Sequence, residues 1–582
     1  MKHSIPAPFF ASKTYCVSLL AGLALLLLIP GLLLAAPFGT DGPVHIRWQI
    51  AFAHEIMDGH LFPRWLPGMN DGFGSPAFFF YPPLLQWVGA LFTPLLPRDD
   101  QAIRRLALAL WLLSWMGALG CQAWLRILGA TPRAALLGAM LWLAAPYRAF
   151  VDTYQRSALA ECASLCLLPW LGYCAVRVSR RVPGSWALHG LSIGALAYAH
   201  MPGMVIGYLF VTGHALALIM AENGLRARFE VAAALSSSAL LGLALAAPML
   251  LPALGLLDHI VDATAISGER NQPHNWLLFS SIPWIDHVAW IMTLGLVVVT
   301  VLIAVLMAPA AVLVHSARSR AVAWAMLATV GVVAVLNTSI SMPFWELQTP
   351  VSRIQFPFRL LGASSLAVSI LAALAYDHFR AAGETRRASL LCWLLAAMIL
   401  GDLTAFAYQR LRPRVIFPLT IHQVMASNHD TSEYILGDLN EVVQRFSTQR
   451  ALVVDGGGIA GITLGRMEGA GRRLSVSYHA SRGAALALRQ FGFTGWQCRI
   501  DRGEWTDARL YRFGSSPRSG TVPVCAIPGG THRLEARLTM TMPERLGLWL
   551  GFASSVVLFI MLCQNIILHI MRHRQESEGG II

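Results

Sequence analysis

Long apolar runs separated by short polar segments form the main pattern of this chain. Twelve of the runs are predicted membrane-spanning helices, because a helix needs about 20 apolar residues to cross a bilayer. They lie at 16–36, 106–125, 134–147, 157–176, 185–199, 202–220, 231–252, 289–308, 321–337, 358–376, 389–407 and 546–570. The first run is longer than the apolar core of a signal peptide, which has about 7–15 residues, so we expect it to remain as an uncleaved first helix.

Arginines between the runs predict the orientation of the chain. When the runs are threaded alternately through a membrane, every segment assigned to the cytoplasm is basic, as the positive-inside rule requires. These segments carry Arg126 and Arg133; Arg177, Arg180 and Arg181; Arg226 and Arg228; Arg318 and Arg320; Arg380, Arg386 and Arg387; and Arg572 and Arg574. We therefore expect a multi-pass protein with its N-terminus and C-terminus in the cytoplasm.

A further apolar stretch, residues 77–96, is left out of this count. Counting it would put the basic segments on inconsistent sides of the membrane. It also contains Tyr81-Pro82-Pro83, which disfavours a helix start before it. We expect an amphipathic helix that lies at the outer membrane interface. The three arginines that follow, Arg98, Arg104 and Arg105, are then the main exception to the charge rule.

Between residues 408 and 545 the pattern changes to short alternating runs. They lie at 451–454, 462–467, 474–478, 484–490, 496–500, 508–513 and 532–539. Glycine-rich turns separate them, so we predict an extracytoplasmic all-β module of the sandwich type. The chain then divides into a transmembrane domain (1–407), the β module (408–545), and a final helix with a cytoplasmic tail (546–582). Outside the cytoplasm, the module's only two cysteines, Cys498 and Cys525, are permitted to form a disulfide.

The composition agrees with a membrane protein. Of the 582 residues, 56% are apolar and 13% are charged, whereas soluble domains carry about 25% charged residues, so an ordinary cytosolic enzyme is excluded. The net charge of +13 is compatible with nucleic-acid binding, but the arginines lie in short clusters between apolar runs. The nine cysteines include no CxxC pair, so the sequence predicts no zinc or redox motif.

Charged residues accumulate in the loops predicted to lie outside. Charges beside a membrane are energetically costly, so these residues are the candidates for function. The first outer loop carries Asp41, His45, His60 and Arg64; the second carries Arg148, Asp152, Arg156 and Glu161; a later one carries Arg353, Gln355 and Arg359.

A series of motifs in this chain resembles a family of bacterial membrane proteins. After an Asp just beyond the first run, the motifs are Asp58-Gly59-His60, Pro63-Arg64-Trp65, Gly72-Phe73-Gly74-Ser75-Pro76, Tyr81-Pro82-Pro83-Leu84, Pro146-Tyr147-Arg148, Arg156-Ser157-Ala158-Leu159-Ala160-Glu161, Gln355-Phe356-Pro357-Phe358-Arg359, Gly495-Trp496 with Asp501, and Ile527-Pro528-Gly529-Gly530-Thr531-His532. In this order they resemble the YfhO-type proteins and the family filed as pyruvoyl-tetrahydropterin-synthase-related membrane proteins. The resemblance covers nearly the whole chain.

The resemblance implies an inverting enzyme of the glycosyltransferase-C superfamily in the bacterial cytoplasmic membrane. Such enzymes take a sugar from a polyprenyl-phosphate carrier at the outer face, and here the acceptor would be a cell-envelope glycan or lipid. The essential acidic residue of the first outer loop falls on Asp41, with Asp152 and Glu161 as further catalytic candidates. The resemblance leaves the cofactor open: a divalent metal (Mg or Mn) is one option, but no acidic pair follows the first run.

The chemistry of such a transfer fits the residue types. An attacking acceptor hydroxyl needs a carboxylate to take its proton. The departing phosphate is an anion, which arginine binds with a bidentate fork. We therefore predict that the phosphate is bound by Arg148, Arg156, Arg353 and Arg359, and that the substrate site also includes His45, His60, Arg64 and Gln355.

Structural roles are the alternatives for several of these residues. Asp41 could cap a helix that begins near Pro43. Glu161 could form a buried pair with Arg156 or Arg148. Arg353 and Arg359 could anchor a helix end at headgroup phosphates.

Two other functions also stay open for the whole chain. One is a transporter or flippase for a lipid-linked glycan, and the other is a non-catalytic envelope assembly factor that uses the β module for binding. A transporter is expected to show inverted repeats and charges at the membrane midplane, whereas the charges of this chain gather at one face.

Overall fold

The computed structural model describes residues 13–33, 39–260, 273–280, 287–313, 316–347, 351, 354–411, 421–447, 449, 451–454, 461–514 and 519–578. The described chain is mostly helical, and a β module precedes its last helix. Up to residue 255 the helices are α1 Lys13–Leu33, α2 Gly42–Met57, α3 Ala77–Phe80, α4 Leu84–Ala90, α5 Ala102–Ile127, α6 Pro132–Leu143, α7 Leu159–Leu165, α8 Leu168–Ser179, α9 Ser185–Ala199, α10 Met201–Met220 and α11 Leu225–Gly255. The later helices are α12 His287–Ala311, α13 Ala317–Leu336, α14 Met342–Glu346, α15 Leu361–Ala381, α16 Thr385–Leu411, α17 Ile421–Met425, α18 Leu439–Phe446 and α19 Met542–Glu578.

Eleven helical segments of the described chain are long and apolar enough to cross a membrane. They correspond to α1, α5, α6 with the turn after it, α7 with α8, α10, α11, α12, α13, α15 with the turn before it, α16 and α19. The chain is therefore a multi-pass membrane protein, and these segments match eleven of the twelve predicted runs.

The remaining predicted run, 185–199, forms α9, a helix of only 15 residues. Glycine lets α9 pack closely on α11, because a Cβ added at Gly194 would lie 2.9 Å from the carbonyl oxygen of Gly242. The helix still returns the chain across the bundle. The N-terminus of α9 follows the end of α8. His200, just after the C-terminus of α9, is instead near Arg156 and Arg359, close to the start of α7.

The prediction of one amphipathic helix over 77–96 is wrong. The chain forms two short helices there, α3 and α4, which are separated at Tyr81-Pro82-Pro83. The two prolines cause this break, since neither can donate a helical hydrogen bond. All four residues of α3 are buried.

The second outer loop is not a loop in the structure. Tyr147–Gln155 forms a π-helix that is buried over most of its length. Ser157, at φ +57°, then turns the chain into α7. π-Helical turns are rare and concentrate at functional sites.

The β module consists of two antiparallel sheets with a common core. Its strands are β1 Ala451–Val453, β2 Ile462–Leu464, β3 Glu468–Ala470, β4 Arg473–Ala480, β5 Ala484–Leu488, β6 Trp496–Ile500, β7 Thr506–Asp507, β8 Arg509–Arg512, β9 Thr521–Ile527 and β10 Gly530–Leu538. The first sheet has the order β1-β5-β9-β8, and the second has the order β2-β4-β10-β6-β7 with β3 paired to β4. Side chains from both sheets, such as Leu534 and Leu486, are buried between them.

A disulfide joins the two sheets of the module. It links Cys498 of β6 to Cys525 of β9, so the predicted bridge is confirmed.

The predicted first outer loop is held by the segment between α16 and the first strand of the β module. We call the contact between Trp48, Asn70 and Ser75 on one side and Asp430 on the other the clasp. The indole Nε1 of Trp48 donates to Oδ1 of Asp430 at 3.0 Å, and the Ser75 hydroxyl donates to its Oδ2. The backbone N–H of Asp430 donates to Oδ1 of Asn70 at 2.8 Å. A buried carboxylate therefore holds α2 and the loop after it together.

The β module itself also binds this loop. Trp65 Nε1 donates to Oε1 of Gln490 at 2.8 Å, and Nε2 of Gln490 donates to the Gly72 carbonyl at 2.8 Å. Gly74 has φ +81°, and a Cβ there would collide with the Trp65 indole, so only glycine fits. The Gly-Phe-Gly-Ser-Pro motif is thus a docking element for the module.

The clasp predicts a pH dependence of stability. Burial raises the pKa of Asp430 to about 6, against the hydrogen bonds from Ser75, Thr431 and Trp48, which lower it. Since the unfolded value is about 3.9, the folded state binds this proton more tightly, and stability falls as pH rises from about 4 to about 6. Over this range we expect the free energy of unfolding of wild type to fall by roughly 3 kcal/mol relative to that of Asp430→Asn. The measurement is the melting temperature of both proteins across the pH range. Parallel pH profiles for the two proteins would contradict this assignment.

Candidate active site

Asp41 lies where the start of α2 meets the turn between the π-helix and α7. The backbone N–H of Asp41 donates to the Arg156 carbonyl at 2.9 Å, and the Thr40 hydroxyl donates to the same oxygen at 2.9 Å. The two predicted outer segments are therefore joined at this point by their backbones.

The side chain of Asp41 does not cap α2. Asp41 occupies the N-cap position, with Pro43 in the first turn, but its carboxylate makes no capping hydrogen bond. The residue is exposed. The capping alternative is thus contradicted, and the carboxylate is available to a ligand.

Close to Asp41 lies a group of four residues, Asp152, Arg156, Glu161 and Arg359, which we call the arginine–carboxylate cluster. All of them are buried except Arg156, which is half-buried. Nη1 of Arg156 lies 2.6 Å from Asp152 and 3.2 Å from Glu161. Nε of Arg359 lies 3.1 Å from the same Oε2 of Glu161. Both carboxylates have 0% exposure, so the cluster has two balanced pairs of opposite charge.

The cluster assigns different roles to the three predicted catalytic carboxylates. Asp152 and Glu161 are enclosed and bound to arginine, and Glu161 also accepts a hydrogen bond of 2.7 Å from the Tyr147 hydroxyl. This geometry favours the structural pair that the sequence left open for Glu161. Asp41 alone of the three is exposed and can meet an acceptor.

Local structure before α15 orients Arg359. Its Nη1 donates to the Ile354 carbonyl at 2.8 Å and to Oε1 of Gln355 at 3.3 Å. Gln355 adopts φ +66°, a left-handed conformation that is uncommon outside glycine. The guanidinium also lies 4.8 Å from the centre of the Phe356 ring. Gln355 thus acts in the structure as a support for Arg359.

Neutral rings form another wall of the site. The His45 ring lies 5.9 Å from that of Tyr81, and the His200 ring lies 6.5 Å from it on another element. Burial lowers the pKa of His45 to about 4, although Asp41 opposes the shift. Burial likewise raises the pKa of Tyr81 well above its ordinary range. Both side chains are therefore uncharged at neutral pH.

The other predicted binding residues are placed elsewhere. His60 pairs with Glu55 at 3.0 Å, and Arg64 is buried 3.4 Å from Glu544 at the start of α19. Arg148 donates to the Leu143 carbonyl at 3.0 Å and to the Ser114 hydroxyl. These side chains are engaged in contacts within the protein, and we leave them out of the site. Arg353 lies outside the described residues.

Three residues of the site were not predicted from the sequence. Tyr147 and Tyr81 were noted only as parts of motifs, and Tyr81 also as part of a helix-breaking triplet. His200 had no signal beyond its position before Met201-Pro202-Gly203, where a helix begins.

The residues described here do not fit a metal centre. In the described ranges, no group of three His, Cys, Asp or Glu side chains is placed to hold a metal ion. The two buried carboxylates are bound to arginine, and His45 is four residues from Asp41 without a second acidic partner beside it. We therefore assign no step to a metal.

This chain is similar in structure to several solved proteins. The arabinofuranosyltransferase AftD from Mycobacteria is 16% identical at a TM-score of 0.40, over 70% of this chain and 27% of that one. The archaeal oligosaccharyltransferase AglB from Archaeoglobus fulgidus, in complex with an inhibitory peptide and a dolichol-phosphate, is 13% identical at 0.40, over 72% and 56%. ArnT from Cupriavidus metallidurans, bound to undecaprenyl phosphate, is 15% identical at 0.41, over 75% and 79%.

This chain thus spans about a quarter of AftD and about half of AglB. No family model and no curated protein matches it. Each of these three TM-scores lies below 0.5, so none of these likenesses supports a functional role for this chain, and its resemblance to the YfhO-type proteins stays a prediction.

Proposed function

We propose that this chain is an inverting glycosyltransferase that moves a sugar from a polyprenyl-phosphate carrier to a cell-envelope glycan or lipid. One observation carries the proposal: an exposed carboxylate, Asp41, is bonded through its backbone to Arg156, beside a second buried arginine, Arg359. A proton acceptor and an anion-binding group thus meet at the end of a membrane bundle, where a carrier's headgroup would lie.

In the proposed reaction, Asp41 accepts the proton of the acceptor hydroxyl. The oxygen of that hydroxyl forms a bond to the anomeric carbon as the bond from that carbon to the phosphate oxygen breaks. The electron pair of the broken bond stays on the phosphate, and the guanidinium groups of Arg156 and Arg359 stabilise this charge. Asp152 and Glu161 act as positioning residues, because they fix the two arginines.

The β module supports the site from above. The clasp holds α2, which begins beside Asp41, and the module binds the loop that follows α2. The acceptor would therefore approach between the membrane surface and the module.

We further propose that the site and the β module face away from the cytoplasm. The expected result concerns two exposed positions, Glu504 of the module and Arg226 in a predicted inner loop. In intact cells, a membrane-impermeant maleimide should label Glu504→Cys above the wild-type background and leave Arg226→Cys unlabelled. Labelling of Arg226→Cys alone would reverse the orientation and remove the outer-face reaction.

The function is tested by transfer with purified protein in detergent. A panel of sugar-charged undecaprenyl phosphates is supplied as donors, and the acceptor is an envelope extract from cells that lack the gene. A transferase produces a new glycan in this single compartment, whereas a flippase or an assembly factor does not. Mass spectrometry of carrier lipids with and without the gene should show the unused donor accumulating in its absence.

A further inference from the structure

The charge balance of the arginine–carboxylate cluster leaves a question about the carrier phosphate. Arg156 and Arg359 are matched by Asp152 and Glu161, and Asp41 adds a negative charge nearby. An anion bound here therefore meets little net positive charge and needs additional hydrogen-bond donors.

His200 has the geometry of a fixed donor. It is the N-cap of α10, and its Nδ1 accepts a hydrogen bond of 3.1 Å from the backbone N–H of Gly203. A ring nitrogen that accepts a hydrogen bond carries no proton, so a neutral ring must carry its proton on Nε2. No partner of Nε2 is found among the side chains that the structure describes, and the residue is 6% exposed.

The surroundings of His200 belong to the site. Its ring lies near Arg359, Arg156 and His45. The first turn of α10 packs on α7, since a Cβ at Gly203 would collide with the Ser164 hydroxyl, which in turn donates to the Glu161 carbonyl at 2.7 Å. The first turn of α10, a helix of 20 residues, thus lies against the helix that carries Glu161, and a helix N-terminus favours an anion.

A second, independent observation indicates a ligand at this point. His45 is 2% exposed, yet its Nδ1 has no hydrogen-bond partner. Buried polar atoms of proteins are rarely left unpaired. Its ring faces Tyr81, which also faces His200.

We propose that His200 binds an oxygen of the carrier phosphate through Nε2–H, at the N-terminus of α10. This inference rests on the proposed function and adds a binding residue to it. The bound group is a phosphate ester, and the imidazole acts as a neutral donor that complements the two arginines.

The His200 ring is neutral, which gives the proposal a second measurable consequence. Burial, together with Arg359 and Arg156, keeps the pKa of His200 well below its usual range. The ring therefore does not gain a proton between about pH 6 and pH 8. Protonation would also remove the acceptor that caps α10.

The test measures binding of undecaprenyl phosphate to the full chain in nanodiscs. His200→Asn keeps a good N-cap but loses the longer reach of Nε2–H, whereas His200→Ala loses both. His479→Asn, an exposed imidazole of the β module, is the matched control. We expect His200→Asn to bind the carrier about tenfold more weakly or worse, with little change in melting temperature, since hydrogen bonds to charged groups are worth about that much. His200→Ala should in addition melt at a lower temperature.

The pH series separates a neutral donor from a cation. The ratio of the dissociation constants of His200→Asn and wild type should stay constant from about pH 6 to pH 8, because titration of the phosphate itself cancels in the ratio. A ratio that grows on acidification would overturn the neutral donor. Wild-type affinity in His200→Asn would remove His200 from the site and leave the proposed function intact. Failure of wild type to bind the carrier would overturn both.

Discussion

Asp41→Asn is expected to lower the rate of sugar transfer by about 10²–10⁴-fold, the usual loss when a general base is removed. The substitution keeps the size of the side chain and removes the charge that accepts the proton. The fold should be unaffected, because the Asp41 carboxylate makes no capping hydrogen bond with α2. The measurement is turnover of a charged undecaprenyl phosphate by purified protein, with the melting temperature recorded for each variant.

The matched control is Asp58→Asn at the other end of the same helix. Asp58 is the C-cap residue of α2 and is exposed. The turnover of the Asp58→Asn protein should therefore stay at the wild-type rate. Full turnover in a well-folded Asp41→Asn protein would remove Asp41 from the mechanism. The base would then have to be Asp152 or Glu161, each of which is held by arginine in the structure.

Glu161→Gln is expected to destabilise the protein by about 3–5 kcal/mol, the usual cost of breaking a buried ion pair by removing one partner. Glu161 is fully buried and contacts both Arg156 and Arg359. The amide keeps the size of the side chain but leaves both guanidinium groups without their shared counterion. We expect a melting temperature lower by several degrees and weaker binding of undecaprenyl phosphate.

The control for this variant is Glu384→Gln, which breaks an exposed pair with Arg387. Exposed pairs contribute about 0–1 kcal/mol, so its melting temperature should hardly change. If Glu161→Gln has the same melting temperature as wild type, the cluster does not hold the two arginines in place, and the role given to Glu161 is wrong.

How much of the site the sequence could predict depended on distance along the chain. Asp41, Arg156, Glu161 and Arg359 could be chosen because charges beside a membrane are costly. Their grouping could not, because Arg359 reaches Glu161 from almost two hundred positions away. The same limit explains Arg64: nothing near it in sequence indicates that its partner is Glu544.

Local patterns were more informative for the fold, and their failures have local causes. The strand β9 was missed because Pro523 interrupts an otherwise strand-like run. Pro523 pairs with Leu510 of β8. The pairing of β9 with β5 ends one residue away, at Val524, so the missing N–H of Pro523 removes no hydrogen bond to β5. The helix α9 was predicted from its apolar run, but its 15 residues span only about 22 Å, less than the thickness of a bilayer core.

The clasp has a consequence for the order in which this protein matures during synthesis. Trp48 and its partner Asp430 are 382 positions apart, so the ribosome has made all of the helices from α1 to α16 before Asp430 emerges. A nascent chain at that stage already contains Asp41, the arginine–carboxylate cluster and His200, but it lacks the clasp, which holds α2 through Trp48. We therefore expect the proposed site to reach its final geometry only after the segment that carries Asp430 has been made and has folded onto α2. An intermediate that stalls earlier would carry the proposed catalytic residues without the clasp.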